Sequence, residues 1–160
     1  MKSLEEVLAE HPFFRGMKEE HIRLFAGCAA HVRFEAGAFL FREGDPADRF
    51  FLLRHGRVAL EVQVPGRGPT VIQTLGEGDV VGWSWMVPPY RWAFDGRALE
   101  LVRAWSFDAA CIRGKAERDP SLGYELLRRL LPVVVERLQA TRLQLLDVYG
   151  EGKRSVRSPA

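Results

Sequence analysis

The chain has 160 residues and 18.1 kDa, enough for one domain to bury a core without disulfides or a structural metal. Its hydrophobic share of 47%, charged share of 28% and formal charge of +2 are those of an ordinary soluble globule, and a charge so balanced points to no polyanionic partner. The N-terminal MKSLEEVLAEHPFF carries acids where a signal peptide is apolar. No run approaches the roughly 20 apolar residues that span a bilayer, so the expected location is the cytoplasm, away from membrane. In chain order, residues 1–30 read as short helices. Ser3 with Glu6 forms a capping box ahead of Leu4, Val7 and Leu8, Pro12 ends that run, and Ile22, Leu24 and Phe25 mark a second helix. Residues 31–107 change period. Val58, Leu60, Val62 and Val64 alternate with Arg57, Ala59, Glu61 and Gln63, the two-residue repeat of a strand with one buried face. Further strands are expected around Phe34, Phe39 to Phe41, Phe50 to Leu53, Val71 to Leu75 and Leu99 to Trp105, with glycines at the corners between them. Many short strands of this kind make a sandwich or jelly roll.

Residues 108–149 turn helical again. Asp119 is placed to cap a helix and Pro120 to occupy its first position, where a missing N–H costs nothing. Leu127, Leu131, Val134, Leu138, Thr141, Leu145 and Val148 then recur at steps of four and three, the seam of a two-stranded coiled coil. A homodimer interface is expected at Val134, Leu138, Thr141, Leu145 and Val148, while Pro132 is expected to kink or split the helix. The alternative is an amphipathic helix packed only on its own sheet. Residues 150–160 read as a flexible basic tail, too short for a three-helix module that reads a DNA groove, so no direct DNA binding is expected.

Cys28 and Cys111 lie far apart and in no CxxC spacing, which suggests buried thiols rather than a disulfide or zinc site. His11, His21, His31 and His55 show no HxH or HxxxH spacing, and no nucleophile elbow or P-loop lysine appears, so neither a metal, a cofactor nor an enzyme is expected.

Four segments carry a family resemblance. E43-G-D-P-A-D-R-F-F-L-L-R-H-G-R-V58 resembles the strand, turn and strand of cyclic-nucleotide-binding domains, and L75-G-E-G-D-V-V-G82 resembles the turn that brings a glycine to the phosphate-binding cassette. Arg91-Trp92-Ala93 is similar to the cassette's closing arginine, polar residue and alanine. E136-R-L-Q-A-T-R142 is similar to the dimer helix of catabolite-activator-type regulators. The resemblance spans residues from about 11 to 149 and implies a mainly β fold, a double-stranded β-helix jelly roll with short N-terminal helices and a long C-terminal helix.

It also implies a non-catalytic regulatory module whose ligand is cyclic AMP, cyclic GMP or another small phosphate, held by Gly82, Trp83, Ser84, Trp85, Arg91, Trp92 and Ala93. The Arg91 guanidinium suits two phosphate oxygens at once, and Ser84 to Met86 fall where a short helix would offer its amides. One departure stands out. In the family a glutamate that binds the ribose follows the cassette glycine, whereas here Trp83 follows Gly82. A hydrogen bond to a charged group is worth about 1.5–3 kcal/mol, so its loss weakens nucleotide binding by one to two orders of magnitude without abolishing it. The other reading is an orphaned protein-interaction or dimerisation module. Its pocket is filled by its own tryptophans, and Arg91 is paired with Asp95 or with backbone carbonyls.

Overall fold

The computed structural model describes residues 1–155. Its contacts divide the chain into a unit Met1–Glu125 and a helical unit from Leu126 onward. In the first, α1 (Leu4–Glu10) opens with the expected capping box: Ser3 Oγ accepts from the Glu6 N–H, and the Glu6 carboxylate accepts from the Ser3 N–H. Helix α2 (Glu19–Ala26) buries Ile22 and Phe25.

Eight strands follow, β1 (Ala29–Phe34), β2 (Phe39–Phe41), β3 (Arg49–His55), β4 (Val58–Val64), β5 (Gly68–Leu75), β6 (Val80–Val81), β7 (Asp95–Ala98) and β8 (Val102–Asp108). They form two antiparallel four-stranded sheets, ordered β1-β8-β3-β6 and β2-β7-β4-β5. This is the jelly roll the sequence implied. Strand β4 differs in detail: Ala59 and Glu61, assigned to the exposed face, are buried with Val58 and Leu60. The strand expected over Leu99 to Trp105 is in fact a turn followed by β8, and β7 lies just before that turn.

Alternation along β3 gives the unit two aromatic clusters, because neighbouring side chains on a strand point to opposite faces. Phe51 stacks with Phe41 across the roll at 6.4 Å between ring centroids. Phe50 faces the other way and stacks with Phe107 at 4.9 Å, and Phe107 meets Phe14 and Phe25 at 5.8 and 6.0 Å. One strand therefore serves the interior of the roll and the layer beneath the N-terminal helices.

Helix α3 (Ala109–Arg118) is capped by Asp108, whose carboxylate accepts from the Cys111 N–H at 2.7 Å. Here the reading of the cysteines is corrected. Cys28 and Cys111 are joined as a disulfide with their Cα atoms 5.9 Å apart, because the fold brings the end of α2 beside the first turn of α3. An 83-residue separation carries no spacing signal from which that could be read.

Helix α4 (Pro120–Ser155) starts as expected, with Asp119 accepting from Ser121 N–H and Leu122 N–H. It runs through Pro132 without splitting, so the proline removes one donor but does not end the helix. Residues 150–155 of the expected flexible tail continue that helix, and 156–160 lie outside the described residues.

Candidate functional site

The cassette runs from the end of β6 to the start of β7. Gly82 leaves β6 at φ +95°, a backbone state that L side chains rarely adopt. Trp83 precedes a single 3-10 turn, Ser84–Met86, whose first N–H groups have no partner within so short a helix. A cis Pro88–Pro89 bond and Tyr90 at φ +55° then turn the chain back. The return segment is zipped onto the loop after β2. Ala47 N–H donates to the Tyr90 carbonyl, Trp92 N–H to the Asp45 carbonyl and Gly44 N–H to the Trp92 carbonyl, at 2.8, 3.0 and 2.9 Å, with Pro46 and Arg91 bridged between them. The quoted EGDPAD turn and the Arg91-Trp92-Ala93 segment thus meet across 45 residues of sequence.

Within this frame the expected site residues separate into three groups. Trp92, 5% exposed, points into the roll: its ring stacks on Phe41 at 3.8 Å and 12°, and its edge lies against Gly82. A Cβ placed on Gly82 would sit 2.4 Å from Trp92 Cζ3, so the glycine is required both by its φ and by this contact. Gly96 plays the matching part for Phe41, whose ring would be 2.6 Å from a Cβ there. The inner end of the cassette is therefore filled by an indole lying on a phenyl ring.

Trp85 goes elsewhere. Fully buried, it stacks on Phe50 at 4.5 Å, in the layer beneath the helices and on the opposite face of β3 from Phe51. Its Nε1 has no hydrogen-bond partner among the described residues. Trp83 and Ser84 are half-buried, and Ala93 is exposed.

Arg91 is exposed and donates from Nη1 to the Gly44 carbonyl at 2.8 Å. It makes no ion pair with any described carboxylate. The pairing with Asp95 weighed from sequence does not form. Asp95, 3% exposed, accepts instead from the Glu43 N–H at 2.8 Å and from Gln63 Nε2 at 3.2 Å, with Arg42 Nε 3.5 Å away. Burial pushes the Asp95 carboxyl up, but the Glu43 N–H, Gln63 and Arg42 together outweigh it and hold the group below its ordinary value. Next to it on the same sheet face, Glu61, 2% exposed, accepts from Arg97 Nε and Nη2 at 2.8 and 2.5 Å. Sequence reasoning missed this acidic pair. Glu61 and Asp95 stand opposite each other in the β4–β7 register, which no local pattern displays.

A second missed residue is Arg113 of α3. Its Nη1 donates to the Trp85 carbonyl at 2.5 Å, and its guanidinium lies 4.4 Å from the Tyr90 ring centroid, so it clasps the cassette from outside the roll. Of the expected interface set on α4, Leu138, Thr141, Leu145 and Val148 are exposed and Val134 is half-buried. Thr141 Oγ1 donates back to the Arg137 carbonyl at 2.9 Å. Among the described residues no group of three or more His, Cys, Asp or Glu side chains is placed to hold a metal, and no helix is long and apolar enough to cross a membrane.

Comparison with known proteins agrees with this architecture. Over 145 residues the chain is 26% identical to a CRP-like cAMP-activated global transcriptional regulator of Mycobacterium tuberculosis, covering 91% of this chain and 63% of that protein. The chain thus spans less than two thirds of that relative's length. A crystal structure of a cyclic nucleotide-binding protein from Geobacter metallireducens GS-15 superposes with a TM-score of 0.77 at 26% identity, covering 86% of this chain and 99% of the other. A cyclic nucleotide-binding domain from Methylobacillus flagellatus shares the fold at a TM-score of 0.75 and 21% identity, covering 89% and 80%. Residues 31–119, more than half of the chain, match the family described as the cyclic nucleotide-binding domain, and to that family the chain belongs.

Proposed function

We propose that the chain is a non-catalytic, cytoplasmic regulatory module that takes a cyclic nucleotide or a related small phosphate at the cassette of Gly82, Ser84 and Arg91. It signals through the helix from Pro120 onward, as a homodimer joined by Val134, Leu138, Thr141, Leu145 and Val148. The observation that carries this reading is Arg91: an exposed guanidinium at the cassette rim, engaged by one backbone carbonyl and by no described carboxylate, keeps donors for an anion. With Trp83 in place of the ribose-binding glutamate, affinity is expected to be weak. Binding also requires the Trp92 ring to leave Gly82, so the ligand selects a second arrangement of that side chain.

That contact favours a second reading, in which Trp92 plugs the pocket and the dimer surface carries the purpose of the protein. Calorimetry with cyclic AMP and cyclic GMP separates the two. Saturable heat that disappears in Arg91→Ala supports the sensor. Silence to millimolar ligand in the native chain sinks the sensor and supports the plugged module, and heat that appears only in Trp92→Ala identifies that ring as the plug. The dimer is tested separately by sedimentation, where Leu138→Glu should convert dimer to monomer.

A further inference from the structure

Helix α3 is tied at successive positions to different parts of its unit. Cys111 is bonded to Cys28, where the chain passes from α2 into β1. Two residues later, close to half a turn around the helix, Arg113 reaches the cassette and holds both the Trp85 carbonyl and the Tyr90 ring. Lys115 Nζ donates to the Leu24 carbonyl at 2.7 Å, a flexible ammonium contact that fixes the helix far less firmly than a covalent bond. The 3-10 turn of the cassette is too short to hold itself in place, and Tyr90 sits in a left-handed conformation that its surroundings must maintain. The buried Trp85 ring on Phe50 and the Ala47 N–H on the Tyr90 carbonyl hold this segment from the roll. Arg113 adds a restraint from α3, and the disulfide restrains α3 within the same turn.

We infer that Arg113 is a positioning residue for the cassette and that the Cys28–Cys111 bond makes this positioning redox-dependent. In the reducing compartment that the proposed function places it in, a disulfide is characteristically a transient, redox-sensing one. The reductant is a dithiol. One of its thiolates attacks Sγ of Cys111, the half-buried partner, and expels the thiolate of Cys28, which is only 8% exposed. The second thiolate then resolves the mixed disulfide and releases Cys111. Two electrons and two protons enter the chain, and the dithiol leaves as a disulfide. With the bond open, α3 is held only by the packing of Ala109 and Ile112 and by the Lys115 contact, so it shifts more easily against β1, Arg113 shifts with it, and residues 84–91 lose part of their outer support. The consequence for ligand affinity rests on the sensor reading above, whereas the coupling between cysteines and cassette does not.

Amide hydrogen exchange on the full chain, oxidised and reduced with dithiothreitol, tests this. Reduction should speed exchange across 84–91 by about tenfold or more while β4 and β5 stay protected. In Arg113→Met the oxidised chain should already exchange fast at 84–91 and reduction should add little, and Arg113→Lys, which keeps a donor for the Trp85 carbonyl, should restore part of the protection. Three results would overturn the inference: unchanged exchange at 84–91 on reduction, loss of protection throughout β4 and β5 as well, or an equal response in the native chain and Arg113→Met. The first and second come from the native chain alone, so they stand even if the variants fold poorly. If neither redox form takes cyclic AMP, the sensor reading fails while the exchange data still decide the coupling.

Discussion

Replacing Gly82 by alanine puts a methyl group where two separate costs meet. At φ +95° any Cβ strains the backbone, by about 1–2 kcal/mol. The same methyl would stand 2.4 and 2.6 Å from Trp92 Cζ3 and Cη2, roughly 1 Å inside ordinary carbon contact, and the ring it must displace is stacked on Phe41. Overpacking of this kind adds about 1–3 kcal/mol, so Gly82→Ala should cost about 2–5 kcal/mol in all. Trp92→Ala alone should cost about 3–5 kcal/mol by emptying a buried site. Once the indole is gone, the methyl has nothing to strike and only the backbone cost remains. The two substitutions should therefore be non-additive, with a coupling of about 1–3 kcal/mol. Urea unfolding followed by circular dichroism on the four proteins of this cycle measures the coupling directly. If Gly82→Ala costs the same in both backgrounds, to within about 0.5 kcal/mol, the packing of Trp92 on Gly82 is not what holds the cassette end closed.

Two pH effects follow from buried groups. Burial lowers the pKa of His11 from its ordinary 6.5, and Arg54 adds to that, against the Leu53 carbonyl and Asp79. Its Nδ1 also accepts from the Phe13 N–H at 3.1 Å, leaving no place for a second proton. Stability should be full above pH 6.5 and fall below it as the unfolded chain takes up a proton the fold excludes, and His11→Gln should flatten the urea midpoint between pH 7.5 and 5.5. Asp95 gives the acid limb. Its lowered pKa contributes stability that is present above about 3.8 and lost as pH falls through the folded value, so Asp95→Asn should show a shallower decline in thermal midpoint below pH 4.

The parts of the fold that were legible in the sequence are those where one residue type has one physical use. The Ser3 and Glu6 capping box and the Asp119 cap with Pro120 behind it each follow from a local requirement, whereas the one-sided pattern read for β4 failed because Val58 to Glu61 are covered on both faces. Strand β7 was not legible, because its residues DGRA read as a turn: Asp95 is buried by partners distant in sequence, and Gly96 is there to admit the Phe41 ring. Gly82 and Arg91 entered the proposed site because the chain carries them in a recognisable order. The division of labour between Trp92 and Trp85 depends on which face of β3 each ring meets, and the link between Cys28 and Cys111 on a meeting of helices 83 residues apart.

The opposed phenylalanines of β3 limit how news of an occupied pocket could travel. Phe51 belongs to the hollow and Phe50 to the layer under the helices, on a strand pinned by β8 along most of its length. A partition laced that firmly does not bulge to relay pressure from one room to the other. On the proposed sensor reading the route goes around its rim, by way of the cassette between β6 and β7, which carries one indole on each side.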